Sequence, residues 1–84
     1  MVIETTVAKK RVLFRDKCYV LTYRLITHTP TRHQIEILCQ CNREVEREKT
    51  FFMGTQHQAY KIVKLFAAET VFPIALKETL ENYL

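Results

Sequence analysis

Two hydrophobic periods divide the chain. Up to about Met53 apolar and polar residues alternate with period two, and beyond Gly54 the apolar positions recur at helical spacing. Val12 and Phe14 alternate with Arg11, Leu13 and Arg15 in a first strand. Tyr19, Leu21, Tyr23 and Leu25 give one face of a second strand, and Ile35, Ile37, Cys39 and Cys41 give one face of a third. Val45 to Met53 reads as a fourth. Reversals are expected at Asp16-Lys17, at Thr29-Pro30-Thr31-Arg32, where Pro presets one dihedral, and at Asn42-Arg43. Residues facing each other across an antiparallel ladder share a side. That condition pairs Phe14 with Tyr19, Val12 with Leu21, Leu25 with Ile37 and Tyr23 with Cys39. A two-residue turn at Asn42-Arg43 would set Cys39 against Glu46. Keeping the apolar face intact therefore calls for a bulge or longer turn over Asn42–Glu44, with Cys41 beside Val45 and Ile35 beside Phe51.

Thr55-Gln56-His57-Gln58 has the capping-box pattern and opens a helix with Ala59, Ile62, Val63 and Phe66 on its apolar stripe. This helix should stop near Thr70-Val71, because Pro73 disfavours a helical residue before it. Pro73 suits the first turn of a second helix carrying Leu76, Leu80 and Tyr83, with Lys77 and Glu81 spaced to pair on its outside. The pattern thus predicts a single α+β domain over residues 1–84: a four-stranded antiparallel meander (strands about 4–53), then two helices (about 55–70 and 73–83) on one face.

Composition narrows the chemistry. The 84 residues include one Gly (Gly54), one Asp (Asp16), no Ser and no Trp. Phosphate-binding loops and dinucleotide fingerprints need two or three glycines, so both are excluded. A serine nucleophile and a paired-aspartate site are excluded as well. Cys18, Cys39 and Cys41 make an odd set without framework spacing, which points to a reducing, cytoplasmic setting. No apolar run approaches a membrane span, and Glu4, Lys9 and Lys10 interrupt any signal-peptide core. Cys39 and Cys41, two apart on a strand, point to one side, and core packing is expected in preference to metal or redox use. His28, His33 and His57 read as surface turn residues. No catalytic machinery, metal or other cofactor is expected.

From about Tyr23 to the C-terminus the chain resembles a family of short Firmicutes proteins typical of clostridia, a domain of unknown function. The resemblance lies in Ile35-Glu36-Ile37, in Thr55 opening a helix with Ala59, Ile62, Val63 and Leu65, in Val71-Phe72-Pro73-Ile74-Ala75-Leu76, and in Leu80-Glu81-Asn82-Tyr83. Gln34 and Ala75 stand where that family usually has a Gly and a polar residue. The resemblance implies a bacterial setting and the order of strands before helices. It implies no activity and no site residues.

The helix-free sheet face is where an interaction is expected. On the parity above it displays Val7, Lys9, Arg11 and Leu13, then Val20, Thr22, Arg24 and Ile26, then Glu36, Leu38 and Gln40, and finally Glu44, Glu46, Glu48 and Phe52. Such a face would run from basic to acidic, so that two copies could dock with opposite charges in register. The expected function is a non-catalytic interaction or regulatory module, a homodimer or one bound to a hetero-partner. Lys9, Arg11, Arg24, Glu44 and Glu46 would steer the contact, and Leu13, Ile26 and Leu38 would supply area. Nucleic-acid binding by the basic first hairpin (Lys9, Lys10, Arg11, Arg15, Lys17, Arg24) is the alternative. The chain's +4 charge is mild for that role, acidic residues on the fourth strand would oppose it, and Phe14, Tyr19 and Tyr23 should point inward.

Overall fold

The computed structural model describes residues 2–84. Strands β1 (Ile3–Phe14), β2 (Lys17–Thr29), β3 (Arg32–Cys41) and β4 (Glu44–Met53) form one sheet in the order β1-β2-β3-β4, each antiparallel to the next. Helix α1 (Gln56–Ala68) follows, then a 3₁₀ turn over Pro73–Ala75 that leads into α2 (Leu76–Glu81). This is the α+β meander with two trailing helices that the periodicity predicts.

Turn chemistry sets the registers. The first reversal is Arg15-Asp16 rather than Asp16-Lys17. Both turn residues have positive φ, 52° and 64°, as the tight turn matching strand twist requires. Val12 therefore faces Tyr19, and Phe14 faces Lys17. In the second hairpin Leu25 faces Ile35 and Tyr23 faces Ile37, with a bulge at His28. Both ladders slide two residues from the expected pairs, which keeps every side chain on its expected face. Val7 is the exception, because a second bulge there turns it toward the core.

The fourth strand differs in kind. Asn42 adopts φ 56° and the Asn42-Arg43 turn closes in two residues, so Cys41 pairs directly with Glu44, Cys39 with Glu46 and Ile37 with Glu48. No bulge intervenes. The expected register is overturned, and β4 is flipped relative to it. Phe52 is buried in the core, while Phe51 lies on the helix-free face and is exposed. Apolar patterning misleads here because β4 is an edge strand whose inner side is only partly covered. The molecule measures 41 × 27 × 16 Å. At 1.5 Å per residue α1 is only about 20 Å long, so the sheet outruns its helices at the end bearing the first and third turns. Glu44 and Glu46 meet open space there, and Glu48 finds Lys77 of α2 at 3.7 Å. Lys77 thus pairs across to the sheet and not with Glu81.

The core lies between the sheet and the helices. Leu21, Tyr23, Leu25, Ile35 and Ile37 are buried from one side against Ala59, Val63, Phe66, Leu76 and Leu80 from the other. Thr55 caps α1 as expected: its hydroxyl accepts from the Gln58 amide, and the Gln58 side chain accepts from the Thr55 amide. At the far end the Thr70 amide bonds to the Ala67 carbonyl and the Val71 amide to the Phe66 carbonyl, a Schellman closure with Thr70 at φ 56°. A β-branched residue is strained there. Lys10 reaches over from β1 to this end, its Nζ donating to the Ala67 carbonyl at 2.9 Å and to the Thr70 hydroxyl at 2.6 Å. A cation thereby meets the negative end of the helix dipole. Lys10 belongs to the core-side architecture and not to a solvated basic hairpin.

His33 is not a surface residue. It is fully buried, and its Nε2 donates to the Gly54 carbonyl at 3.0 Å, since a carbonyl can only accept. Its Nδ1 lies 3.1 Å from the Thr27 hydroxyl. It locks the second hairpin to the junction where strands give way to helices.

Candidate nucleic-acid interface

The helix-free face is built by alternate residues of all four strands. β1 places Lys9, Arg11 and Leu13 on it, β2 places Val20, Thr22, Arg24 and Ile26, and β3 places Arg32, Gln34, Glu36, Leu38 and Gln40. β4 adds Val45, Arg47, Lys49, Phe51 and Met53. Of the residues singled out from sequence, Lys9, Arg11, Leu13, Arg24, Ile26 and Leu38 share this surface. Glu44 and Glu46 do not; the β4 register carries them to the opposite side. Ile26 is 4% exposed beneath its neighbours and offers no contact area, whereas Leu13 is 76% exposed.

Removing those carboxylates changes the electrostatics of the face. Six cations (Lys9, Arg11, Arg24, Arg32, Arg47, Lys49) and two carboxylates (Glu4, Glu36) remain on it. The rest of the chain holds seven cations and seven carboxylates, so the whole net charge of +4 resides on this one surface. Glu36 is buried and held by Arg24 at 2.9 Å and Arg47 at 3.6 Å, while Arg24 also reaches Glu4 at 3.0 Å. This chain of charges links one residue from each strand. A buried carboxylate left unpaired is costly, so Arg24 is committed to structure. Lys9, Arg11, Arg32 and Lys49 enter no ion pair among the described residues.

Phe51 supplies a flat apolar surface on edge strand β4, beside Arg32 and two residues from Lys49, while Lys9 and Arg11 lie across the sheet on the opposite edge strand β1. The Arg32 guanidinium lies 4.6 Å from its ring centre, and the His28 ring is 6.1 Å away. His28 Nε2 donates to the Gln34 side-chain oxygen at 2.7 Å, which fixes the imidazole beside the phenyl ring. Near the first turn a shallow depression of about 420 Å³ is lined by Lys9, Lys10, Arg11, Val20 and Gln40. Sequence reasoning missed Arg32, Arg47, Lys49 and Phe51. The signal that could have found the three on β4 is Asn42, a residue that tolerates positive φ and so permits the two-residue turn, whereas Arg32 reads from sequence as part of the second turn.

Cys39 is buried, and burial first, then Glu46 and Cys41, pushes its thiol pKa up, away from the thiolate. Among the described residues no three His, Cys, Asp or Glu converge as metal ligands would, and no helix is long and apolar enough to cross a membrane. Comparison with protein-family models, curated proteins and solved structures found no match to this chain.

Proposed function

We propose that this chain is a non-catalytic binding module that takes single-stranded nucleic acid on its helix-free sheet face. The observation that carries the reading is the gathering of the entire net charge on the one face that also presents the exposed Phe51 ring. A single strand needs cations to meet its phosphates and a flat ring on which a base can stack. Arg32, Lys49, Arg11 and Lys9 answer the first need and Phe51 the second. Docking of two copies face to face, the arrangement expected from sequence, loses its support once Glu44 and Glu46 leave the surface, because two basic faces repel. The three free cysteines support a reducing, cytoplasmic setting.

Fluorescence anisotropy of a labelled oligonucleotide tests the reading. With four cations free of ion pairs among the described residues, the logarithm of affinity should fall against the logarithm of salt with a slope of about −3. Lys49→Glu should weaken binding at every sequence, and Phe51→Ala should cost about 1–3 kcal/mol of affinity without changing that slope by much. Absence of binding at about 50 mM salt would end the proposal.

A further inference from the structure

On the opposite side of the sheet, where the helices stop short, a cavity of about 360 Å³ opens beside the first and third turns. Phe14, Tyr19 and Phe72 furnish its aromatic walls, Glu44 and Glu46 its acidic rim, and Cys39 part of its floor. Tyr19 and Phe72 meet edge to face at 5.9 Å and make a rigid corner. The volume falls within the range of small-ligand sites, which are mostly apolar with a few placed polar groups.

The chemistry of the lining selects the ligand. Aromatic faces carry negative potential and attract cations. Phe14 already shows this, with the Arg15 guanidinium 5.2 Å from its ring centre. Glu44 and Glu46 enter no ion pair among the described residues, although Glu48 on the same side of β4 pairs with Lys77. An anion would be repelled, a neutral apolar molecule would gain nothing from the carboxylates, and a metal ion would gain nothing from three hydrocarbon rings. We propose that this cavity binds a small organic ammonium, its alkylated head among the rings of Phe14, Tyr19 and Phe72 and its charge facing Glu44 and Glu46. The site lies on the other face from the nucleic-acid surface and does not depend on that reading.

Choline and its neutral carbon isostere 3,3-dimethylbutan-1-ol separate charge from shape. Titrating each into the full chain, with amide shifts followed by NMR, should give saturable changes at Phe14, Tyr19, Glu44 and Glu46 for choline, and affinity at least about tenfold lower for the isostere. Glu46 is exposed, so Glu46→Gln should keep the wild-type spectrum and weaken choline about three- to tenfold. Tyr19→Leu, with one wall removed, should weaken it comparably. Equal affinity for choline and isostere, unchanged choline affinity in Glu46→Gln, or no saturable shift with choline would each overturn the proposal.

Discussion

Tyr23→Phe isolates one buried hydrogen bond at the centre of the fold. Tyr23 is fully buried on β2, and its hydroxyl donates at 3.0 Å to the carbonyl of Val71, in the segment joining α1 to the 3₁₀ turn. The substitution keeps the ring and deletes the donor, leaving a buried carbonyl without that partner. The expected cost is about 1–3 kcal/mol. An 84-residue domain has a total stability of only about 4–13 kcal/mol, and each kcal/mol lost should lower the melting temperature by about 4–8 °C. Burial, with a smaller contribution from Cys39, pushes the Tyr23 pKa from 10.0 up to about 12. A phenol whose pKa is higher in the folded state stabilises fully below its unfolded pKa. That contribution fades as pH rises from about 10 through about 12, by up to about 2–3 kcal/mol. Urea titrations followed by circular dichroism on wild type and variant, at neutral pH and across that alkaline window, measure both effects. The stability gap should be widest at neutral pH and should shrink or reverse as pH approaches 12. A variant as stable as wild type at neutral pH, or a gap that ignores alkaline pH, would mean that the buried hydroxyl does not hold Val71 in this way.

Lys10→Met should cost about 1–2 kcal/mol, because its ammonium donates to the last turn of α1; amide exchange should quicken at Thr70 and Val71, and unchanged exchange would deny it the capping role. In Gly54→Ala the new Cβ would lie 2.7 Å from Gln58 Oε1 and 2.8 Å from the Phe52 ring. Phe52 is core and Gln58 holds the helix cap, so denaturation should show a loss of about 1–3 kcal/mol. In thiol labelling of the native protein, exposed Cys18 should react promptly and buried Cys39 only upon unfolding, whereas equal rates would contradict the burial of Cys39.

The order of elements was legible because the two periods are clean, and Thr55, Gln58 and Pro73 mark the helix starts by local chemistry. Two hairpin registers slid by two residues without consequence, since a slide by an even number preserves the face. Strand β4 shows where patterning fails. Its two sides are Val45-Arg47-Lys49-Phe51-Met53 and Glu44-Glu46-Glu48-Thr50-Phe52. Hydrophobicity favours the first for the core, and the two-residue turn that Asn42 permits put the second there instead. That one choice determined the sign of the charge on the helix-free face. Lys10 and His33 escaped for another reason: their partners, Ala67, Thr70 and Gly54, lie far along the chain, and only tertiary structure brings them within reach. Thr70 at positive φ, where Gly is usual, likewise gave no local warning.

On the proposed function, the basic, helix-free sheet face is the surface that meets the nucleic acid. Amide shift mapping with a short single-stranded oligonucleotide at low salt tests it most directly. Saturable shifts are expected at Arg11, Thr22, Leu38, Lys49 and Phe51, with α1 residues such as Lys61 and Lys64 unmoved and the shifts abolished by raised salt. Shifts centred on the helices, or a spectrum that the oligonucleotide leaves unchanged, would contradict it.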